Sequence, residues 1–563
     1  MTDTRPVPRC PRRPLVAALL AAAGAAGAEA QTGLFTLGSE AYADWFGGVV
    51  SRTGDVDGDG CADFAVSARW HDQAGFNAGR VRLYSGKTGG VLLEWTGAEP
   101  AEELGFALAI AGDVDGDGVF DLVAGAPRAT AAGAAPGRAV VLSGKNGSPL
   151  HVFWGDADQD AFGSAVAGAG DVDGDGFADL LVGAPEHDGG GNRSGQLRVH
   201  SGATGAVLRT IVGDASEALG NAVSGVGDLD LDGADDLLAG AWGHALSTGA
   251  ARVYSGSGGG VIHAYTGDVM DDHFGVSVQG VGDLNGDGAL DFAVGAWAHD
   301  LAGPQSGQAR AYSGLDGSTL HTTYGTGEHD RYGISVGRAG DVDGDGHADL
   351  VVGAAQVELL EATGPGYARV LSGPTGDVLF ELVGPDPDGL FGASAAGIGD
   401  ANGDGFADLG IGAPTGSAGA AGAGSASVFS GVPMALAAAP HVLSVGEGGA
   451  QLLTLDAGPA HAGSFYYTLG SGVGTDPPFV LEGVDIPLVP DLYFAITVQH
   501  PAATALQAPF GLLDAQGAAA VPLVIPPGSN PAVAGKTFYH AVVLIDGSGQ
   551  VHGTGAVPVT LLP

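Results

Sequence analysis

Positive charge is scarce in this chain: 21 lysines and arginines stand against 64 acids, only Lys87, Lys145 and Lys536 are lysines among 563 residues, and the formal net charge is −43. Nucleic acid and anionic membrane surfaces need clustered cations, so neither is expected as a partner. Cysteine is scarcer still, with only Cys10 and Cys61. Beyond the first thirty residues no segment shows a helical apolar period, which excludes helical bundles and points to an all-β class. The longest apolar run, Leu15 to Ala28, is too short to span a bilayer. There is no nucleophile-elbow motif with an ordered Ser-His-Asp set and no phosphate loop, so no catalytic constellation is identified.

Residues 1 to 30 read as a secretory signal peptide, with Arg5, Arg9, Arg12 and Arg13, the apolar run, and Ala28-Glu29-Ala30 before Gln31. Cys10 would leave with it. Cys61 is then expected to be unpaired, which leaves metal rather than sulfur to staple an exported protein.

What the chain does have is a motif, Asp-x-Asp/Asn-x-Asp-Gly-x-x-Asp, seven times at a period of 55 to 59 residues. Its carboxylate and amide positions are Asp55, Asp57, Asp59 and Asp63; Asp113, Asp115, Asp117 and Asp121; Asp171, Asp173, Asp175 and Asp179; Asp228, Asp230, Asp232 and Asp236; Asp283, Asn285, Asp287 and Asp291; Asp341, Asp343, Asp345 and Asp349; Asp400, Asn402, Asp404 and Asp408. Carboxylates converging in one tight turn repel unless a hard cation of flexible coordination sits among them, and Ca²⁺ is that cation. Position 6 is always glycine, as a sharp turn requires. Position 7 varies freely (Cys61, Val119, Phe177, Ala234, Ala289, His347, Phe406), as a backbone-carbonyl ligand permits. An EF-hand would need glutamate at position 12, where Val66, Ala124, Val182, Ala239, Val294, Val352 and Ile411 stand instead. Up to seven Ca²⁺ are expected. Loop four has Leu231 where the others have glycine, and loops five and seven have Asn285 and Asn402, so these three should bind more weakly.

Phe/Leu/Tyr-Gly precedes each first aspartate by nine residues, as in Phe46-Gly47 and Phe162-Gly163. Gly-Ala-Pro or a near variant follows twelve residues after it in six copies, as in Gly183-Ala184-Pro185, and Ser-Gly closes the next strand. On these landmarks the span from about residue 33 to 432 resembles FG-GAP repeats, as in the β-propeller of integrin alpha subunits. The resemblance implies an extracellular calcium-binding propeller that engages a protein or glycan ligand in adhesion.

Four strands per repeat predict a seven-bladed β-propeller over 31–432. The seventh repeat lacks an outer strand, and Leu34 to Leu37 is expected to supply it by pairing near Ala426 to Ser430. A linker is read at 433–440, followed by a small β-sandwich-like domain at 441–563 built on runs such as Leu492 to Val498, Val521 to Ile525 and Phe538 to Leu544. A secreted or cell-surface monomer is expected. His71, His187, His244 and His299 recur sixteen residues after their first aspartates. They are read as polar loop residues, with a shared metal or catalytic role as the alternative. Trp242 and Trp297 are read as strand-end packing or, alternatively, a sugar platform. Two functions stay open: a binding or adhesion scaffold, or a polysaccharide lyase or hydrolase built on the same propeller.

Overall fold

The computed structural model describes residues 33–431 apart from positions 40, 132, 359, 360, 420 and 421, and beyond them the strands named below. The leader read over residues 1–30 lies outside the described residues. The chain divides into two compact units, one holding Gln31–Val342 with Gly346–Gly431 and the other Val432–Pro563.

The first unit is a ring of seven four-stranded antiparallel sheets. Blade three shows how composition sorts the strands. Its inner strand, Ala165–Gly170, is made of glycine, alanine and valine, because inner strands crowd near the axis: a Cβ on Gly168 would lie 2.9 Å from the Ile110 carbonyl oxygen of the neighbouring blade. The second strand, Asp179–Ala184, is buried along its whole length and correspondingly apolar. The third, Gln196–His200, is also buried. The outer strand, Val207–Val212, alternates exposed and half-buried residues. Between blades three and four, Leu181, Leu197 and Val199 pack with Leu219, Leu237 and Tyr254, so the hydrophobic core lies between sheets.

The Phe-Gly and Gly-Ala-Pro landmarks are where blades join. Phe162 bridges Gly137 of blade two, and the pattern repeats around the ring to Phe46 with Gly424 of blade seven. Gly163 has φ +89°, and a Cβ there would lie 2.3 Å from the Arg138 carbonyl oxygen. Only glycine fits that close approach.

Blade seven takes its outer strand from the start of the described chain. Gly33–Gly38 pairs antiparallel with Ser425–Phe429, Leu37 opposite Ala426 and Thr36 opposite Ser427. Leu34, Phe35 and Leu37 pack on the core formed by Phe46, Phe64 and Val428. The expected closure is therefore present, and the edge it removes would otherwise be open to pairing.

In the second unit, Ala435–Ala439, Gly449–Asp456 and Ala518–Ile525 form one sheet. Thr537–Ile545 is the centre of another, between Val557–Leu562 and Phe465–Ser471. Ala435–Ala439 falls inside the span read as a linker. Its alanines carry no strand signal of their own, and pairing with Gly449–Asp456 is what makes them a strand. The run Leu492 to Val498 lies outside the described residues. Cys61 is disulfide-bonded in the full chain; the expectation of an unpaired thiol was made for the chain after loss of residues 1–30, which lie outside the described residues.

Candidate metal centre and the opposite loops

Each aspartate motif turns between an inner strand and the second strand of its blade. Position 1 anchors the turn: Asp171 accepts hydrogen bonds from the backbone N–H of Gly174 (2.7 Å) and Gly176 (3.0 Å). Position 3 accepts from position 5, as Asp175 N–H does to Asp173 (3.1 Å), and position 5 accepts from position 7, as Phe177 N–H does to Asp175 (2.9 Å). Equivalent bonds recur in the other loops, for instance Gly60 to Asp55 and Gly405 to Asp400. Backbone donors thus hold the carboxylates and leave their remaining lone pairs facing inward.

Position 9 does more than offer a ligand oxygen. Asp179 is fully buried, and its two oxygens accept from Val172 N–H (2.8 Å) in the loop and Gly202 N–H (2.9 Å) in the Ser-Gly turn. The same double clasp joins Asp63 to Val56 and Gly86, Asp121 to Val114 and Gly144, and Asp408 to Ala401 and Gly431. Burial pushes the Asp63, Asp121 and Asp179 carboxyls up to about 6, with those N–H groups opposing it.

The donor set fits calcium. In the loops starting at Asp55, Asp113, Asp171 and Asp228, one oxygen from each of positions 1, 3 and 9 lies within 4.8 Å of the other two. Oxygens bound 2.3–2.6 Å from one ion are separated by at most roughly 5 Å. Position 5 is steadied from outside, by Lys87 on Asp59 (3.6 Å), Lys145 on Asp117 (3.4 Å), or Ser430 on Asp404 (2.8 Å). Where position 3 is asparagine, its amide already offsets part of the repulsion: Asn285 donates to Asp287 (2.8 Å), and Asn402 to Asp404 (2.9 Å).

The four histidines lie at the other end of the blades, and each pairs with its own acid. Nδ1 of His71 meets Asp44 (3.0 Å), His187 meets Asp160 (3.2 Å), His244 meets Glu217 (2.6 Å) and His299 meets Asp272 (3.1 Å). All four acids are buried. The acids adjacent in sequence, Asp72, Asp188 and Asp300, instead accept backbone N–H groups of their own loops.

The partner acids are the residues that reading the sequence missed. An acid stands two positions before the Phe-Gly landmark in six of seven repeats: Asp44, Glu102, Asp160, Glu217, Asp272 and Asp330. In blade two Glu102 takes Arg138, and in blade six Asp330 takes Gln356 and Tyr367. Five of the six also cap their own loops, as Asp272 does for Asp268 and Val269 N–H (2.8 Å each), while Asp44 accepts from the Ser39 hydroxyl. Burial opposes ionisation of Glu217, but Arg252, Asp214 N–H and His244 hold its carboxyl down at about 2. Asp268, Asp272 and His299 also bring three ligand atoms within 4.8 Å, but Arg310 already pairs with Asp268.

Trp242 and Trp297 flank His273 at 5.1 and 4.9 Å between ring centroids, with Arg193 over one indole and Arg331 over the other. Both indoles are half-buried in that stack, which is the packing reading.

A ring of seven sheets carrying seven aspartate loops defines a repeat propeller of a recognisable class. The FG-GAP repeat family matches residues 46–84, 104–142, 162–200 and 333–371, so the chain carries FG-GAP repeats at four places. Among curated relatives, integrin alpha-5 of Xenopus laevis is 31% identical over 33% of this chain and 19% of that protein. Integrin alpha-V of Gallus gallus is 31% identical over 35% of this chain and 20% of that protein. The chain therefore spans about a fifth of the length of these integrin relatives. A solved structure titled "Structure of Dos1 propeller" is similar at a TM-score of 0.39 and 11% identity, over 68% of this chain and 91% of that one. No helix among the described residues is long and apolar enough to cross a membrane.

Proposed function

We propose that this chain acts outside the cell as a calcium-stabilised FG-GAP propeller, a binding scaffold for a protein or glycan ligand. The observation that carries the reading is the aspartate loops starting at Asp55, Asp113, Asp171 and Asp228, in each of which three oxygens come within 4.8 Å of one another. Repulsion among them is tolerable only with a cation present. Support for the scaffold role comes from the integrin alpha relatives, whose subunits are binding scaffolds. The leader expected at 1–30 belongs to the same proposal. So do a propeller at 31–432 and a separate C-terminal domain, with Ala435–Ala439 now counted as part of that domain. All thirty-five loop positions named above, including the position-7 backbone carbonyls, are proposed ligands.

The test is to probe the purified protein against glycan and extracellular-matrix panels in calcium and in chelator. Calcium-dependent capture of a defined ligand is the expected result. Retention of that capture in chelator, or elemental analysis showing no bound calcium in the folded protein, would reject the reading.

A further inference from the structure

Among the described residues, the inner strands around the propeller axis carry a charge opposite to that of the chain as a whole. The inner strands are Phe46–Gly54, Ala107–Gly112, Ala165–Gly170, Val223–Gly227, Ser277–Gly282, Tyr332–Gly340 and Ser394–Gly399. Not one contains an aspartate or glutamate, although the chain has 64 such residues. Their only charged residues are Arg52 and Arg338.

Both arginines line an axial cavity of about 260 Å³ formed by inner strands of six blades. That is below the roughly 300–1,000 Å³ of sites for drug-sized ligands, so its occupant is small. Arg338 reaches over Gly282 of the neighbouring blade, its guanidinium carbon 3.4 Å from where a Cβ would stand. Both arginines are exposed to the solvent of the axial opening, and no acid faces them: crowding by the surrounding strands, then the like charge of Arg338, pulls Arg52 down to about 10, and the same crowding lowers Arg338. The polar neighbours are already engaged. Gln279 donates to Ser224 (3.2 Å), and Ser224 donates to the Gly225 carbonyl (3.0 Å). Free donors in the cavity therefore belong to the two guanidinium groups.

We propose that this axial cavity binds a small polyvalent oxyanion, sulfate or a short dicarboxylate, between Arg52 and Arg338. Guanidinium presents paired N–H donors that match two oxygens of such an anion, and a doubly charged ligand relieves the repulsion between two like charges that line one cavity. Nothing in this inference depends on calcium in the aspartate loops.

The test is titration calorimetry of the full chain with sodium sulfate and, separately, sodium succinate, at constant ionic strength in a chloride background. Saturable binding of either anion is expected, and the two arms decide which class the cavity prefers. Arg52→Gln or Arg338→Gln should each weaken it about tenfold, and the double variant should abolish it. Because sulfate stabilises folded proteins generally, a rise in melting temperature counts only as the difference between wild type and variant. Arg52→Lys and Arg338→Lys, which keep charge but lose the fork, give a second pair and should also weaken binding. Absence of saturable binding in wild type, or equal binding in the double Gln variant, would overturn the assignment.

Discussion

The two faces of the propeller use the same residue in opposite ways. On one face, aspartates are gathered in one turn after another, and the side chains that reach position 5 from outside include Lys87, Lys145 and Ser430. On the other, six acids at one repeat position are each matched inside the chain by histidine, arginine, glutamine or tyrosine, and five of them cap a loop besides. Net charge conceals this division. One face is complete as folded; under the proposed function the other is completed by calcium from the solvent.

The largest test of that contrast is removal of calcium. A ligand that binds only the folded state stabilises it by RT ln(1 + [L]/Kd), about 2.7 kcal/mol per site at a hundredfold excess. Several loops acting together should move the melting temperature by tens of degrees between chelator and millimolar calcium, read by calorimetry. A melt unchanged by chelator would mean that the aspartate face is as self-sufficient as its opposite.

Next in size is an attack on the opposite face. Glu217→Ala strands Arg252, His244 and the Asp214 N–H, and removing one member of a buried pair typically costs about 3–5 kcal/mol. The loss should be equal in calcium and in chelator, which distinguishes it from any loop substitution. It should also show in acid. With the folded-state carboxyl held at about 2 and an unfolded value near 4.5, its stabilisation is present above roughly pH 4.5 and lost as pH falls toward 2. Urea midpoints of wild type and Glu217→Gln should therefore converge over that interval. Parallel curves would show that Glu217 contributes by shape rather than charge.

Within the aspartate face, loops should differ. Asp173→Ala removes a ligand charge, whereas Asn285→Ala removes a neutral donor whose amide already restrains Asp287. In calcium the first should cost about 1 kcal/mol more than the second, and in chelator the order should reverse, since Asp173 is then one of several repelling carboxylates. Asp179→Ala should stand apart from both. It leaves two buried N–H groups unsatisfied and should cost about 2–3 kcal/mol in either condition. Denaturant titrations with and without calcium separate the three patterns.

How much of this was legible beforehand follows from how far each feature reaches along the chain. The loops and blades rest on patterns repeated every 55 to 59 residues and visible within one or two repeats, and the ring closure showed as an outer strand missing from the last repeat and present before the first. The partners of the histidines were not found, because Asp44 lies 27 residues before His71 and pairs with it only once the blade is folded. The acid before Phe-Gly did repeat at constant spacing, so its signal was present and went unused. The double clasp of Asp179 had no sequence signature at all: position 9 looks the same whether it holds a metal, a loop or both. Arg52 and Arg338 were hidden for a different reason, being isolated arginines two blades apart that line one cavity only once the ring is formed.

The smallest expected effect concerns Leu231, and it tests whether a loop is limited by its charges or its backbone. Position 4 is glycine in six loops with φ between +74° and +81°, and Leu231 adopts φ +59° at the same place. Its side chain is 83% exposed, so little packing repays that conformation. A left-handed conformation costs a residue with a Cβ about 1–2 kcal/mol, whereas glycine in the unfolded chain gives back about 0.5–1 kcal/mol through its greater freedom. Leu231→Gly should therefore stabilise the protein by about 0.5 kcal/mol in chelator. It should gain slightly more in calcium, because a loop that no longer strains to reach its geometry binds the ion more tightly. The measurement is the shift in urea midpoint under both conditions, with calcium affinity followed by titration. A destabilised Leu231→Gly variant would show that the leucine makes contacts outweighing its strain, and that the fourth loop owes any weakness to something other than its backbone.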